Sequence, residues 1–257
     1  MNKKLVKIYG ERNTGTNYLS RLIHLNLDVE ELPGIAPKKI VQLQNRLPGR
    51  EWVKDMYFDW SFASNLGWKH MKVKSPNFLE DTVATSKNVS FVTLTKNPYS
   101  WLLSLHKRPY HGDRNSPQED FEAFLTNEYK PKGRDNVGNS KTNSTQLWNA
   151  KNASYIDLAK VFSGVTVRYE DLLDDPKQTL TKICQGWDVD WDESSFENYS
   201  DSTKDSHKDA NFYRDYYLGE KWREKLSPQA VEIINSEVDA ELMAHFGYER
   251  IESAMLA

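Results

Sequence analysis

The chain has 257 residues, of which 38% are apolar, 12% aromatic and 28% charged, with a net charge of −3. That apolar share supports a packed core and excludes wholesale disorder. The slight acidic balance argues against a dedicated nucleic-acid binder, so an anionic ligand must be met by a local cluster of Lys and Arg.

In chain order, the N-terminus runs from Met1-Asn2-Lys3-Lys4 straight into Leu5-Val6-Lys7-Ile8-Tyr9, which predicts a short strand and lacks the pattern of a secretory signal. Gly10 to Thr16 reads as a polar turn. Asn17 to Leu27 reads as a helix, with Tyr18, Leu22, Ile23 and Leu25 at helical spacing. Residues 33–61 look irregular, and Gly67 to Val73 reads as a strand with His70 near its end. Val89 to Thr95 is a β-rich run, followed by a helix from Tyr99 to about His106 with Pro98 near its first turn. Residues 127–145 are polar and predict a mobile surface loop. A helix is expected over 145–162, a strand over 165–169, and a helix from Asp175-Pro176 to about Gly186. Trp187 to Asn211 reads as an acidic loop. Ser227-Pro228 opens a last helix striped by Val231, Ile234, Val238 and Leu242, and Gly247 stops it. No stretch approaches the ~20 apolar residues of a membrane helix. The single cysteine, Cys184, cannot form an intrachain disulfide, which fits a reducing, cytoplasmic compartment. Strand, loop and helix within the first residues, with no repeat and no linker, predict one α/β domain over 1–257 of P-loop type, its central parallel sheet flanked by helices.

Two stretches carry the chemistry. Gly10-Glu11-Arg12-Asn13-Thr14-Gly15-Thr16-Asn17 has the Gly-x4-Gly spacing of a phosphate-binding loop, which turns backbone N–H groups toward an anion at a helix N-terminus. The Lys-Ser/Thr pair of the ATP-binding version is absent, Thr16 and Asn17 standing there instead, so a Mg²⁺ site is incomplete and a phosphate handled without metal is expected. Lys96-Asn97-Pro98 follows the Val89–Thr95 strand and places a cation where ligands of open α/β sheets gather, with Ser104 two helical turns later.

With these motifs the chain resembles the sulfotransferases that use 3′-phosphoadenosine 5′-phosphosulfate (PAPS). In that family the first loop grips the 5′-phosphosulfate. A basic residue with Ser eight positions later grips the 3′-phosphate, and Lys96 and Ser104 have that offset. Trp68-Lys69-His70, Val167-Arg168-Tyr169-Glu170-Asp171-Leu172-Leu173 with Asp175-Pro176, and His245-Phe246-Gly247-Tyr248 extend the likeness from about residue 4 to 250. Three departures stand out. Asn13 takes the place of a usual loop cation, with Arg12 one residue earlier. Lys96 replaces the usual Arg and cannot make its bidentate fork. The late Arg-Lys-Gly segment is missing, and Arg214 within Arg214-Asp215-Tyr216-Tyr217-Leu218-Gly219 is the nearest match.

The resemblance implies transfer of a sulfuryl group from PAPS to an acceptor hydroxyl or amine on a small molecule or carbohydrate, with no metal, no nucleic acid and no membrane span. His70 is the implied general base, and Arg12 and Lys69 stabilise the leaving phosphate. Arg12, Asn13, Thr14, Gly15, Thr16, Asn17, Lys96, Ser104 and Arg214 are the implied co-substrate contacts. His106 and His111 read as solvated residues that could touch the acceptor, and His24, His207 and His245 as structural. Trp101 and Trp148 read as core. Glu170 and Asp171 read as capping or surface-pairing residues. Two other readings stand beside this one: a P-loop nucleotide-dependent phosphotransferase, and a non-catalytic nucleotide-binding module with a degenerate site.

Overall fold

The structure is a computed structural model that describes residues 3–47, 51–82, 89–109, 120–199 and 209–253. Four strands, β1 (Lys4–Gly10), β2 (Val29–Glu31), β3 (Val89–Thr95) and β4 (Gly164–Arg168), form one parallel sheet in the order β2-β1-β3-β4. β3 is buried at every residue, as expected of a strand covered on both faces. Alternation then sorts the side chains. Val6, Ile8, Val92 and Leu94 meet α1 (Thr16–Asn26) and α10 (Pro176–Trp187) on one face. Tyr9, Val89 and Phe91 meet α8 (Ser144–Val161) on the other. The remaining helices are α2 (Lys38–Arg46), α3 (Trp52–Trp60), α4 (Phe62–Asn65), α5 (Pro76–Thr82), α6 (Pro98–Lys107), α7 (Phe121–Thr126), α9 (Tyr169–Asp174), α11 (Ala210–Leu218), α12 (Pro228–Glu237) and α13 (Ala240–His245). A separate core gathers Trp101, Trp148, Val231, Ile234 and Met243 where α6, α8, α12 and α13 meet. Among the described residues no helix is long and apolar enough to cross a membrane.

The register decides where the site forms. Gly10 pairs with Leu94, and Thr95 with Arg168, so β1, β3 and β4 end at one edge of the sheet. The loop before α1, the Lys96 turn and Tyr169 all leave from that edge, the usual ligand position in a parallel sheet.

Several expectations are corrected. Gly67 to Val73 is not a strand but a turn with extended flanks. Two buried lysines hold it off the sheet: Lys7 Nζ donates to the carbonyls of Pro33, Asn65 and Gly67, and Lys151 Nζ donates to that of His70. Burial lowers the Lys7 ammonium to about 7. Residues 33–61 contain two helices, α2 and α3. Residues 127–145 are not a free surface loop, because Arg134 and Asp135 are buried; Arg134 pairs with Glu51 and Asp55, and Asp135 with Lys151. The helix expected after Ser227 breaks at Val238, where Asp239 caps a new one. The acidic stretch is loop-like over 188–199 apart from a turn of 3₁₀ helix, but α11 begins inside its expected end.

Candidate active site

The loop between β1 and α1 is shaped by backbone that few residues tolerate. Asn13 and Gly15 both take positive φ, 66° and 86°. A Cβ on Gly15 would lie 2.7 Å from the Tyr169 ring, so glycine here lets the loop seat against the start of α9. Gly15 is also the N-cap of α1. It offers no side-chain cap, and the first turn holds no acidic residue. By contrast α6, α8, α10, α11, α12 and α13 are capped by Asn97, Asn143, Asp175, Asp209, Ser227 and Asp239. The N-terminus of α1 thus has no side-chain cap and no acidic residue in its first turn.

The Trp68–His70 turn lies against this loop. Gly10 N–H donates to the Lys69 carbonyl at 2.9 Å, and Lys69 Nζ donates to Asn17 Oδ1 at 2.6 Å. His70 Nδ1 is 2.5 Å from the Gly10 carbonyl, which can only accept. The proton is therefore on Nδ1, and Nε2 carries the lone pair. Burial, reinforced by the Lys69 charge, holds the His70 imidazolium well below its usual pKa, so the ring is neutral. Burial also lowers the Lys69 ammonium, with Glu31 opposing.

On the other side stands Lys96, fully buried. Its Nζ donates to Ser104 Oγ at 3.0 Å and reaches the Asn13 carbonyl at 3.5 Å, while Asn13 Nδ2 reaches the Ser104 carbonyl at 3.4 Å. Lys96 and Ser104, eight residues apart, are thus in direct contact and are joined to the loop between β1 and α1. Burial pushes Lys96 down to about 7, with Glu170 partly restoring it. No carboxylate among the described residues forms an ion pair with either Lys96 or Lys69.

Not every expected residue faces this centre. The Arg12 carbonyl accepts from Trp101 Nε1 at 2.8 Å, and its guanidinium donates to the Pro109 carbonyl at 3.3 Å. Arg214 donates to the carbonyls of Leu173 and Asp174 and pairs with the Asp174 carboxylate, holding it at the end of α9. Thr14 is buried and its hydroxyl donates to the Glu11 carbonyl at 2.6 Å. Thr16 is buried at the first turn of α1. Trp101 and Trp148 are core, and their indole N–H groups pin the carbonyls of Arg12 and Lys96. Asp171 pairs with Arg168 at 2.5 Å as expected of a surface residue. Glu170 does more, accepting from Asn97 N–H at 3.0 Å and from Tyr248 Oη at 2.7 Å, and so fixes the turn that carries Lys96. The His106 ring packs on Phe121 and Phe124. His111 and His207 lie outside the described residues.

Sequence reasoning missed three groups. Glu11, inside the loop, is 2.5 Å from Lys151 of α8, and Lys151 also pairs with Asp135 at 3.2 Å. Tyr217 of α11 reaches the Lys96–Ser104 pair, its hydroxyl 3.1 Å from Ser104 Oγ. A lysine in mid-helix gives no signal of burial in sequence; a Glu between two glycines of a phosphate loop is the one hint that an internal cation is needed. No group of His, Cys, Asp or Glu able to hold a metal occurs among the described residues.

Comparison with known proteins follows this geometry. The family model described as sulfotransferase domain matches residues 4–247. No curated protein gives a significant match. A sulfotransferase from Alicyclobacillus acidocaldarius aligns at 16% identity over 97% of each chain with a TM-score of 0.48. The sulfotransferase domain of the Synechococcus PCC 7002 olefin synthase aligns at 17% identity over 91% of this chain and 94% of that one, with a TM-score of 0.44. A sulfotransferase domain from the curacin biosynthetic pathway aligns at 15% identity over 98% and 99%, with a TM-score of 0.41. Because the family model runs from the first strand to the close of the last helix, the chain belongs to the sulfotransferase domain family.

Proposed function

We propose that this protein transfers a sulfuryl group from PAPS to a hydroxyl or amine of a small-molecule or carbohydrate acceptor. The observation that carries this reading is buried positive charge placed without a carboxylate counter-ion. Two buried lysines, Lys69 and Lys96, flank one phosphate-type loop, and among the described residues neither meets a carboxylate. A buried ammonium with only neutral partners is costly unless an anion completes it. A nucleotide with phosphate at both ends supplies two anions, and the uncapped N-terminus of α1 suits the 5′ end.

In this reading the N–H groups at Gly15 to Asn17 orient the 5′-phosphate, and Lys96 and Ser104 receive the 3′-phosphate. Lys69 Nζ stabilises the charge that grows on the leaving phosphate. Arg12 of the loop, whose charge also acts on His70, is a candidate for the same role. Losing one such donor typically costs two to three orders of magnitude in turnover. His70, neutral and with its lone pair on Nε2, takes the proton from the acceptor as the acceptor oxygen or nitrogen bonds to sulfur and the bond from sulfur to the 5′-phosphate oxygen breaks. The Gly10 carbonyl, by accepting from Nδ1, fixes the tautomer this needs.

The test is sulfuryl transfer from PAPS to a panel of hydroxyl and amine acceptors, run with native chain and His70→Ala. The reading expects turnover in the native chain, loss of at least about a hundredfold in the variant, and retained binding of adenosine 3′,5′-bisphosphate by both. Full activity in His70→Ala removes His70 from the mechanism. Bisphosphate binding without transfer to any acceptor supports the non-catalytic binding module instead.

A further inference from the structure

The Lys96–Ser104 pair is covered. Lys96 has no exposed surface, and the face of the Tyr217 ring lies over its Nζ, 3.8 Å from the ring centroid. Tyr169 stands on another side at 4.9 Å, with the two tyrosines edge-to-face at 5.1 Å. Ser104 Oγ spends its own proton on the Ser100 carbonyl at 2.8 Å, so the Tyr217 hydroxyl donates to Ser104 at 3.1 Å. The ring thus meets both groups assigned to the 3′-phosphate. A phosphate oxygen must come within about 3 Å of Nζ, and the Tyr217 ring fills that approach.

Tyr217 sits on a helix, α11, that keeps some exposure at every residue. Its aromatic side chains Phe212, Tyr213, Tyr216 and Tyr217 pack on one another, and Tyr216 and Tyr217 also against the core that holds Trp101 and Trp148. An aromatic face satisfies a buried ammonium in place of water or an anion. It also adds no negative charge of its own, so a phosphate outcompetes it. In the functional reading above the 5′-phosphate is met by the N–H groups at Gly15 to Asn17 and not by this ring.

We propose that Tyr217 is a specificity-determining cap: its ring occupies the place of the second phosphate, and only a nucleotide bearing a 3′-phosphate displaces it. The proposal rests on the functional reading above. It predicts that discrimination between singly and doubly phosphorylated adenosine is set partly by the cost of moving this ring. Removing the ring therefore strengthens binding of the doubly phosphorylated ligand alone.

The experiment measures affinities of adenosine 3′,5′-bisphosphate and adenosine 5′-monophosphate for native chain, Tyr217→Leu and Tyr217→Phe. Tyr217→Leu should bind the bisphosphate about tenfold more tightly, the equivalent of one desolvated cation–π contact, and the monophosphate within about twofold of native. Tyr217→Phe keeps the ring and should stay near native for both. Weaker or unchanged bisphosphate binding by Tyr217→Leu overturns the cap while leaving the proposed function standing. Failure of the native chain to bind the bisphosphate overturns both. Should the leucine variant fold poorly, a 3-fluorotyrosine at position 217 reads the ring directly by fluorine NMR. Its resonance should move with bisphosphate and stay with monophosphate, and a stationary resonance at saturating bisphosphate rejects the cap.

Discussion

Lys151→Met is the sharpest perturbation of the frame beneath the site. Lys151 Nζ lies 2.5 Å from Glu11 Oε1 and 3.2 Å from Asp135 Oδ1, and the three side chains are 0%, 1% and 4% exposed. The same nitrogen donates to the His70 carbonyl at 2.5 Å. Methionine fills similar volume but takes the Lys151 ammonium away from two buried carboxylates, and removing one partner of such an arrangement costs about 3–5 kcal/mol. At ~2–4 °C of melting temperature per kcal/mol for a large domain, the variant should melt roughly 6–20 °C below native. Urea unfolding followed by circular dichroism gives the free energy, and a thermal scan checks it. Lys160→Met is the control: its pair with Asp157 is 67% and 58% exposed and should cost under about 0.5 kcal/mol. Adding Glu11→Gln and Asp135→Asn to Lys151→Met should return part of the loss, since the buried negative charge is then gone. A Lys151→Met variant within ~1 kcal/mol of native, or one no worse than Lys160→Met, refutes the reasoning.

Gly15→Ala forces a side chain into left-handed backbone and onto the Tyr169 ring, and should cost roughly 2–4 kcal/mol in urea unfolding. Gly138→Ala shares the positive φ with nothing within 4 Å, so its smaller cost isolates the ring contact. His70 has its folded pKa below the ordinary value of roughly 6.5, so the base remains deprotonated at neutral pH. The kcat/KM profile should lose activity only below that value, and an acid limb centred above pH 7 contradicts the assignment. Lys96 has a folded pKa lowered to about 7, so the free protein loses this cation as pH rises through 7 and a bound phosphate restores it. Bisphosphate affinity should fall up to about tenfold per pH unit above 7, with proton uptake visible by calorimetry in buffers of different ionisation enthalpy. A flat profile between pH 6 and 8.5 counts against Lys96 as the contact.

Much of the sheet and its loops was legible because the signals were local. Val89–Thr95 is rich in β-branched and aromatic residues, and the structure places β3 over those residues. Pro98 and Ser227-Pro228 mark helix starts by fixed φ and capping oxygens, and both helices begin there. Lys96 and Ser104 were singled out by an offset shared with the resembled family, and two turns of helix bring them into contact. What stayed hidden depends on distant partners. β2 is three residues, two of them Glu, and exists because it pairs with β1 through its backbone. Met71-Lys72-Val73 alternates like a strand, yet the turn before it is tied to Lys7 and Lys151, far away in sequence. Arg134 and Asp135 sit in a polar run that reads as solvated, and only their ion pairs with α3 and α8 make them core. Arg214 and Tyr217 share a helix, but which of them meets Lys96 depends on how α11 lies against α9.

The most direct measurement is a crystal structure with adenosine 3′,5′-bisphosphate bound, grown in the presence of a metal chelator. The account predicts one nucleotide whose 5′-phosphate meets the N–H groups of Gly15 to Asn17 and whose 3′-phosphate meets Lys96 Nζ and Ser104 Oγ. A nucleotide seated elsewhere, or one that leaves Lys96 still sealed beneath its tyrosines, contradicts it.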